Sequence, residues 1–218
     1  MKSRNQVVKI IFNLKGRTNN VINYINLLHK NYNSNIFFDL LIINEKNIEP
    51  IQSKFTNLKI INWDSNSEIK GMNSIFKEIY NAQNTIKDYE YCCFVEDDNF
   101  IFPLTLFDAK KFLDNNSSFI ACSGEKFIFA HKSEKNFSYL NMYIGPNTNT
   151  SNNVVNRFKI YNGALCYYSL FKINYFLKIL KFITKIEDDN MSELMFNFLT
   201  IKFGKIHQLK SIYLARQY

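Results

Sequence analysis

Apolar positions along this chain follow two rhythms. Short, nearly continuous runs rich in β-branched and aromatic residues alternate with longer segments of helical period, the pattern of a parallel sheet with crossover helices. Val7 to Phe12 predicts the first strand; after Gly16-Arg17-Thr18 a helix runs to about Lys30 with Val21, Ile25 and Leu28 on one face. Ile36 to Ile43 predicts a second strand and Leu58 to Asn62 a weaker third. Ile69 to about Asn84 reads as a helix presenting Met72, Ile75, Phe76 and Ile79, and Lys87-Asp88 leads from it into a strand over Tyr91 to Val95. A helix from Pro103 (Leu106, Phe107, Ala109, Leu113) precedes a strand near Phe119 to Cys122.

Beyond Cys122 the alternation fades. Residues 145–156 have the composition of a mobile loop, polar with almost nothing to bury, and the segment 131–156 is placed to close over a ligand. Phe158 to Tyr168 resumes strand-like character around Asn162-Gly163, and Phe171 to Ile183 is helical. No linker divides the chain. The expectation is one domain over 1–218, an open, mostly parallel α/β sheet, with 1–102 as a ligand-binding half and 103–218 as a second, catalytic half.

Composition narrows the class. With 218 residues, 46% of them hydrophobic, the chain can bury one substantial core. The cysteines Cys92, Cys93, Cys122 and Cys166 lack metal-type spacing and read as core residues in a reducing compartment. No apolar stretch of ~18 residues occurs, and Met1-Lys2-Ser3-Arg4-Asn5-Gln6 lacks the apolar core of a secretory signal, so the expected location is the cytoplasm. A formal charge of +8 attracts polyanions, yet the basic residues are dispersed, which argues against a nucleic-acid surface. Lys178, Lys181 and Lys185 share one face of the helix Phe171–Lys185. That face is either the solvated side of a core helix or a peripheral contact with an anionic membrane's inner face.

Two acidic groups carry the candidate chemistry. Glu96, Asp97 and Asp98 end the apolar run Tyr91 to Val95, just before Phe100-Ile101-Phe102-Pro103. Adjacent carboxylates at the end of a buried strand repel one another unless a cation offsets them, and in open α/β sheets ligands bind outside the carboxyl ends of the strands. Oxygen ligands so placed suit Mg²⁺ or Mn²⁺ shared with a diphosphate. The second group, Glu187-Asp188-Asp189, precedes a helical pattern ending at Gly204-Lys205, and Asn190-x-x-Glu193 has the form of a capping box. This group is either a helix cap or a catalytic carboxylate.

Val7–Phe12 followed by Arg17, then Phe38 to Asn44, then the hydrophobic-Glu96-Asp97-Asp98-Asn99-Phe100 block with Pro103, resembles the nucleotide-sugar-binding core of the GT-A glycosyltransferases, with family-two character. The resemblance implies a metal-dependent, inverting transfer of a sugar from a nucleoside diphosphate to a glycan or lipid-linked acceptor. It implies the metal on Asp98, with Asp97 or Glu96 on ribose or metal. The same resemblance makes Asp188 the base that deprotonates the acceptor hydroxyl, with Glu187 in reserve. Arg17, beside Lys15 and Gly16, then approaches phosphates or base, Asn44 or Glu45 reads the base, and His207 stands where some of these enzymes draw a further metal ligand. Arg216 is a possible phosphate partner by its charge. Glu96 departs from the usual aspartate, which keeps open a donor-binding but inactive transferase. The residues also admit a nucleotidyltransferase, which shares the sheet and the metal chemistry, and a non-enzymatic polyanion-binding module.

Overall fold

The computed structural model describes residues 7–30, 37–44, 48–52, 58–65, 69–133, 136–143 and 146–217, side chains at 7, 37 and 130–145 excepted. The first half alternates as its pattern predicts: β1 (Val7–Leu14), α1 (Thr18–Lys30), β2 (Phe37–Asn44), β3 (Lys59–Asp64), α2 (Met72–Asn81) with a 3-10 turn over Ala82–Thr85, and β4 (Tyr91–Glu96). These strands lie in the order β3-β2-β1-β4, all parallel. β1 and β2 read as near-continuous apolar runs because helices cover both faces of a parallel sheet.

The second half is mixed. β5 (Asn99–Ile101), α3 (Pro103–Asn115), β6 (Phe119–Ser133), β7 (Asn136–Tyr143), α4 (Val154–Ile160), β8 (Leu170–Lys172), α5 (Ile173–Ile183), α6 (Asp189–Phe203) and β9 (Lys205–Gln217) follow. The sheet continues β4-β8-β6-β9-β5, with β7 paired to β6. β8 is antiparallel to both neighbours, β6 and β9 are parallel, and β5 is antiparallel to β9. One buried apolar cluster runs from Val8 to Leu214 across both halves.

Period-two alternation along β4 sorts the helices. Tyr91 lies under Lys110 of α3, and Phe12, the partner of Val95, meets Tyr24 of α1. Phe94, on the opposite face, packs against Phe76 of α2 and Tyr167, and Phe76 stacks on Phe196 of α6 at 5.1 Å. Glu96 shares the parity of Phe94 and so faces the α2 and α6 side.

Several expectations are corrected. Residues 146–156 are no free loop: Asn149 is 1% exposed, its amide donates to the Ile206 carbonyl at 2.7 Å, and its side chain donates to the Arg157 carbonyl. Phe158 belongs to α4, which Asn153 caps by accepting from Val155 and Asn156; extended coil and a turn occupy 161–169. The buried Arg157 guanidinium donates to the carbonyls of Ser151, Asn152, Ile201 and Lys202, tying α4 to the end of α6. The strand at Phe119 runs on to Ser133, α2 begins at Met72, and Phe171 belongs to β8. On α5 the buried positions are Ile173, Phe176, Ile179, Leu180 and Ile183, while Lys178 and Lys181 are solvated. Among the described residues no helix is long and apolar enough to cross a membrane.

The N-termini of α2 and α6 lock together. The N-cap of α2 is Gly71, which has no side chain to cap with; Asp189 supplies the missing acceptor, taking the Asn73 amide at 2.8 Å, and Asn73 donates in turn to the Ile186 carbonyl. A Cβ at Gly71 would collide with the Asp189 carboxylate. Gly71→Ala and Asp189→Ala are each expected to lower stability by about 1–2 kcal/mol, the worth of a helix cap. Urea unfolding of the double variant should show little further loss, because both changes break the same contact; additive losses would refute it.

Candidate active site

The carboxyl end of β4 delivers all three carboxylates of 96–98 into a confined space, and each meets a different partner. Asp97, 6% exposed, turns toward the β1–α1 loop, where Oδ2 accepts the backbone amides of Lys15 at 2.7 Å and Arg17 at 3.0 Å. Asn20 donates to the Asp97 carbonyl. Asp97 therefore shapes the loop. Asp98 lies with Oδ2 3.4 Å from the Arg17 guanidinium and 3.9 Å from Nε of Arg216, brought in by the pairing of β9 with β5. Burial and then the charge of Glu96 raise the Asp98 pKa, against the pull of Arg216 and Arg17.

Glu96 takes the hydroxyl of Tyr168 on Oε2, and its Oε1 is 3.5 Å from Lys15 Nζ. Burial, then the charges of Tyr167 and Glu96, push the Tyr168 phenol well above its ordinary range, so it stays a donor. Beneath the Tyr168 ring lies Lys126 Nζ, 5.3 Å from the centroid and donating to the Leu165 carbonyl at 2.7 Å. Burial lowers this amine's pKa to about 8.

The adjacent tyrosine reaches the second acidic group: Tyr167 donates to Glu193 Oε2 at 3.3 Å. Burial raises the Glu193 pKa, and the negative charge of Glu96 adds to it while Tyr167 and Arg216 oppose it. Glu193 thus couples to Glu96, whereas the contacts of Asp188 and Asp189 are helix caps. Asp188 is the N-cap of α6, accepting from the Met191 amide at 2.7 Å, so the cap stands two residues before the predicted Asn190. Glu187 is exposed just ahead of it.

The other predicted residues are placed unequally. Arg17 stands in the cleft. Asn44, 1% exposed, lies at the same sheet edge two strands from β4, about 10 Å away, and is turned toward β3 by bonds to Asn62 and Asp64. Glu45 lies outside the described residues. His207 does not join the cluster. Its ring stacks on Phe112 at 3.8 Å near the start of β9. Arg216 lies six β6 residues farther along, from the partner of His207 at Cys122 to that of Arg216 at Ile128, roughly 20 Å.

Tyr167, Tyr168 and Lys126 had no signal in the sequence, since their role arises only from the turn that follows the coil at 161–166. Glu193 was visible, but as half of a capping box.

A divalent cation fits in one way. Among the described residues no group of three or more His, Cys, Asp or Glu side chains surrounds a common point, so the set Glu96, Asp98 and His207 does not form. Asp97 and Glu96 are occupied, while Asp98 Oδ1 is buried without a hydrogen-bond partner. One carboxylate completed by diphosphate oxygens is an ordinary Mg²⁺ or Mn²⁺ arrangement.

No protein-family model matches the chain, and no curated protein matches it. Solved structures do. Residues 1–349 of S. aureus TarS in complex with UDP-GlcNAc match with a TM-score of 0.60 and 15% identity, over 97% of this chain and 58% of that one. A second structure of the same segment gives a TM-score of 0.57 at 15% identity over 96% and 60%, and its complex with UDP gives 0.56 at 15% over 97% and 60%. The chain thus spans 58% to 60% of the length of those TarS chains. At this identity the likeness is one of architecture: the chain has the fold of the GT-A glycosyltransferases.

Proposed function

We propose that this protein is a glycosyltransferase that takes a sugar from a nucleoside diphosphate donor and passes it, with inversion, to a glycan or lipid-linked acceptor. The observation that carries this reading is the meeting of Glu96–Asp98 with Lys15, Arg17 and Arg216 at the carboxyl end of the parallel strand β4, where such folds bind ligands. Arg17, half exposed beside Asp98, is free to turn toward a diphosphate. Asp98 would hold Mg²⁺ or Mn²⁺ through Oδ1, and the ion when bound neutralises leaving-group charge. Lys15 and Arg216 add fixed positive charge, and Asp97 keeps the β1–α1 loop in the shape that presents it.

The acceptor hydroxyl must lose its proton to a carboxylate on the face opposite the departing diphosphate. Asp188, at the N-terminus of α6, is the residue we assign. Glu193 is a second reading for the same role, favoured by its charge coupling to Glu96 and Arg216. A polyanion-binding role gains little from the cleft, since its cations already face carboxylates.

UDP or GDP with Mn²⁺, at a concentration of about a hundred Kd, is expected to raise the thermal midpoint by roughly 5–10 °C. EDTA should abolish the rise, as should Asp98→Asn; a rise indifferent to both would remove the metal from Asp98.

For turnover, sugar release from labelled nucleotide donors is expected to fall by about 10²–10⁴-fold in Asp188→Asn with UDP stabilisation retained. The same fall in Glu193→Gln, with Asp188→Asn active, would move the base to Glu193. Donor binding without sugar release in the unaltered protein would identify an inactive transferase.

A further inference from the structure

On the α1 side of the sheet a hollow runs up to Asp97 and Asp98 at the carboxyl end of β4, and the roles assigned above do not account for the rest of its lining. Between α1 and the strands β5, β6 and β9 lies a cavity of about 450 Å³, within the usual range of small-molecule sites. Its wall is a continuous series of rings in edge or tilted contact: Phe12 to Tyr24 at 5.3 Å, Tyr24 to Phe100 at 4.8 Å, Phe100 to Phe102 at 5.0 Å, Phe102 to Phe127 at 6.2 Å and Phe127 to Phe129 at 6.0 Å. Leu27, Phe100 and Phe102 also line a second hollow of about 330 Å³, so the two form one trench. Its far mouth is flanked by Leu104, 67% exposed, and Ile212, 44% exposed.

The near end of the trench is polar. Asn99 lines it, is 6% exposed, and has a hydrogen-bond partner for neither amide atom among the described residues. A buried amide left without partners is destabilising, and a ligand offering both donors and acceptors would recover that cost. Asn23 and Gln217 stand on the same rim. Among the described residues neither hollow is lined by Lys or Arg, whereas Asp97 and Asp98 line this polar end, Asp98 also facing Arg17 and Arg216. A neutral hydroxylated head matches this end, and an anionic one does not.

We propose that the trench binds a neutral glycolipid, its apolar chain along the rings toward Leu104 and its sugar hydroxyls on Asn99, Asn23 and Gln217. Resting on the transferase reading above, this names the acceptor class: a sugar carried on an apolar chain.

The probe is octyl β-glucoside below its critical micelle concentration, titrated calorimetrically into the whole protein beside free glucose and octanol. The glycoside is expected to bind at least about tenfold more tightly than either fragment. Asn99→Leu and the exposed Leu104→Glu should each weaken it about tenfold, with UDP stabilisation unchanged in Leu104→Glu. Octanol binding as tightly as the glycoside overturns the proposal, because the trench is then an apolar hole only. Glucose binding as tightly, or Leu104→Glu binding like the unaltered protein, also overturns it. Absence of glycoside binding with intact UDP stabilisation sinks the glycolipid site alone, whereas glycoside binding without any UDP effect supports that site and sinks the donor reading.

Discussion

Like charge at the end of β4 is the constraint around which this molecule is arranged. Three consecutive carboxylates leave a buried strand together, and their repulsion and desolvation would oppose folding if they pointed the same way. The chain separates them. Asp97 is consumed by backbone amides of the β1–α1 loop, Glu96 by a phenol and an amine, and Asp98 by two guanidinium groups from opposite ends of the sequence. The long strand β9 and the short β5 exist in this arrangement as the means of carrying Arg216 back to Asp98.

The second acidic group answers a different need. Asp188 caps its own helix and Asp189 caps a neighbouring one, so two helix N-termini are satisfied by adjacent residues and the partial positive charge of both ends is directed at the same corner. Glu193 sits one turn later and couples to Glu96, so the carboxylate of this region that is linked to the end of β4 is not one of the three that stand together in the sequence.

How much of this was legible follows from the range of each signal. The parallel half was readable because strands covered on both faces are apolar throughout and their helices keep one apolar stripe, both local properties. β9 was not, since Lys205-Ile206-His207-Gln208-Leu209-Lys210-Ser211 alternates around polar residues that only pairing with β6 explains. Segment 146–156 looked like loop because its burial is of amide groups rather than apolar ones: Asn149, and Arg157 just beyond it, tie it down through carbonyl contacts that composition does not reveal. The acidic clusters were visible as clusters. Their division of labour depended on which face of β4 each residue occupies and on Tyr167 and Tyr168, whose importance is wholly tertiary.

Those two tyrosines are neighbours in one short turn, and each holds a carboxylate from a different element, Glu96 on β4 and Glu193 on α6. A single peptide link therefore ties the two carboxylates together: the hydroxyls that satisfy Glu96 and Glu193 come from adjacent residues, so the placement of one contact constrains the other.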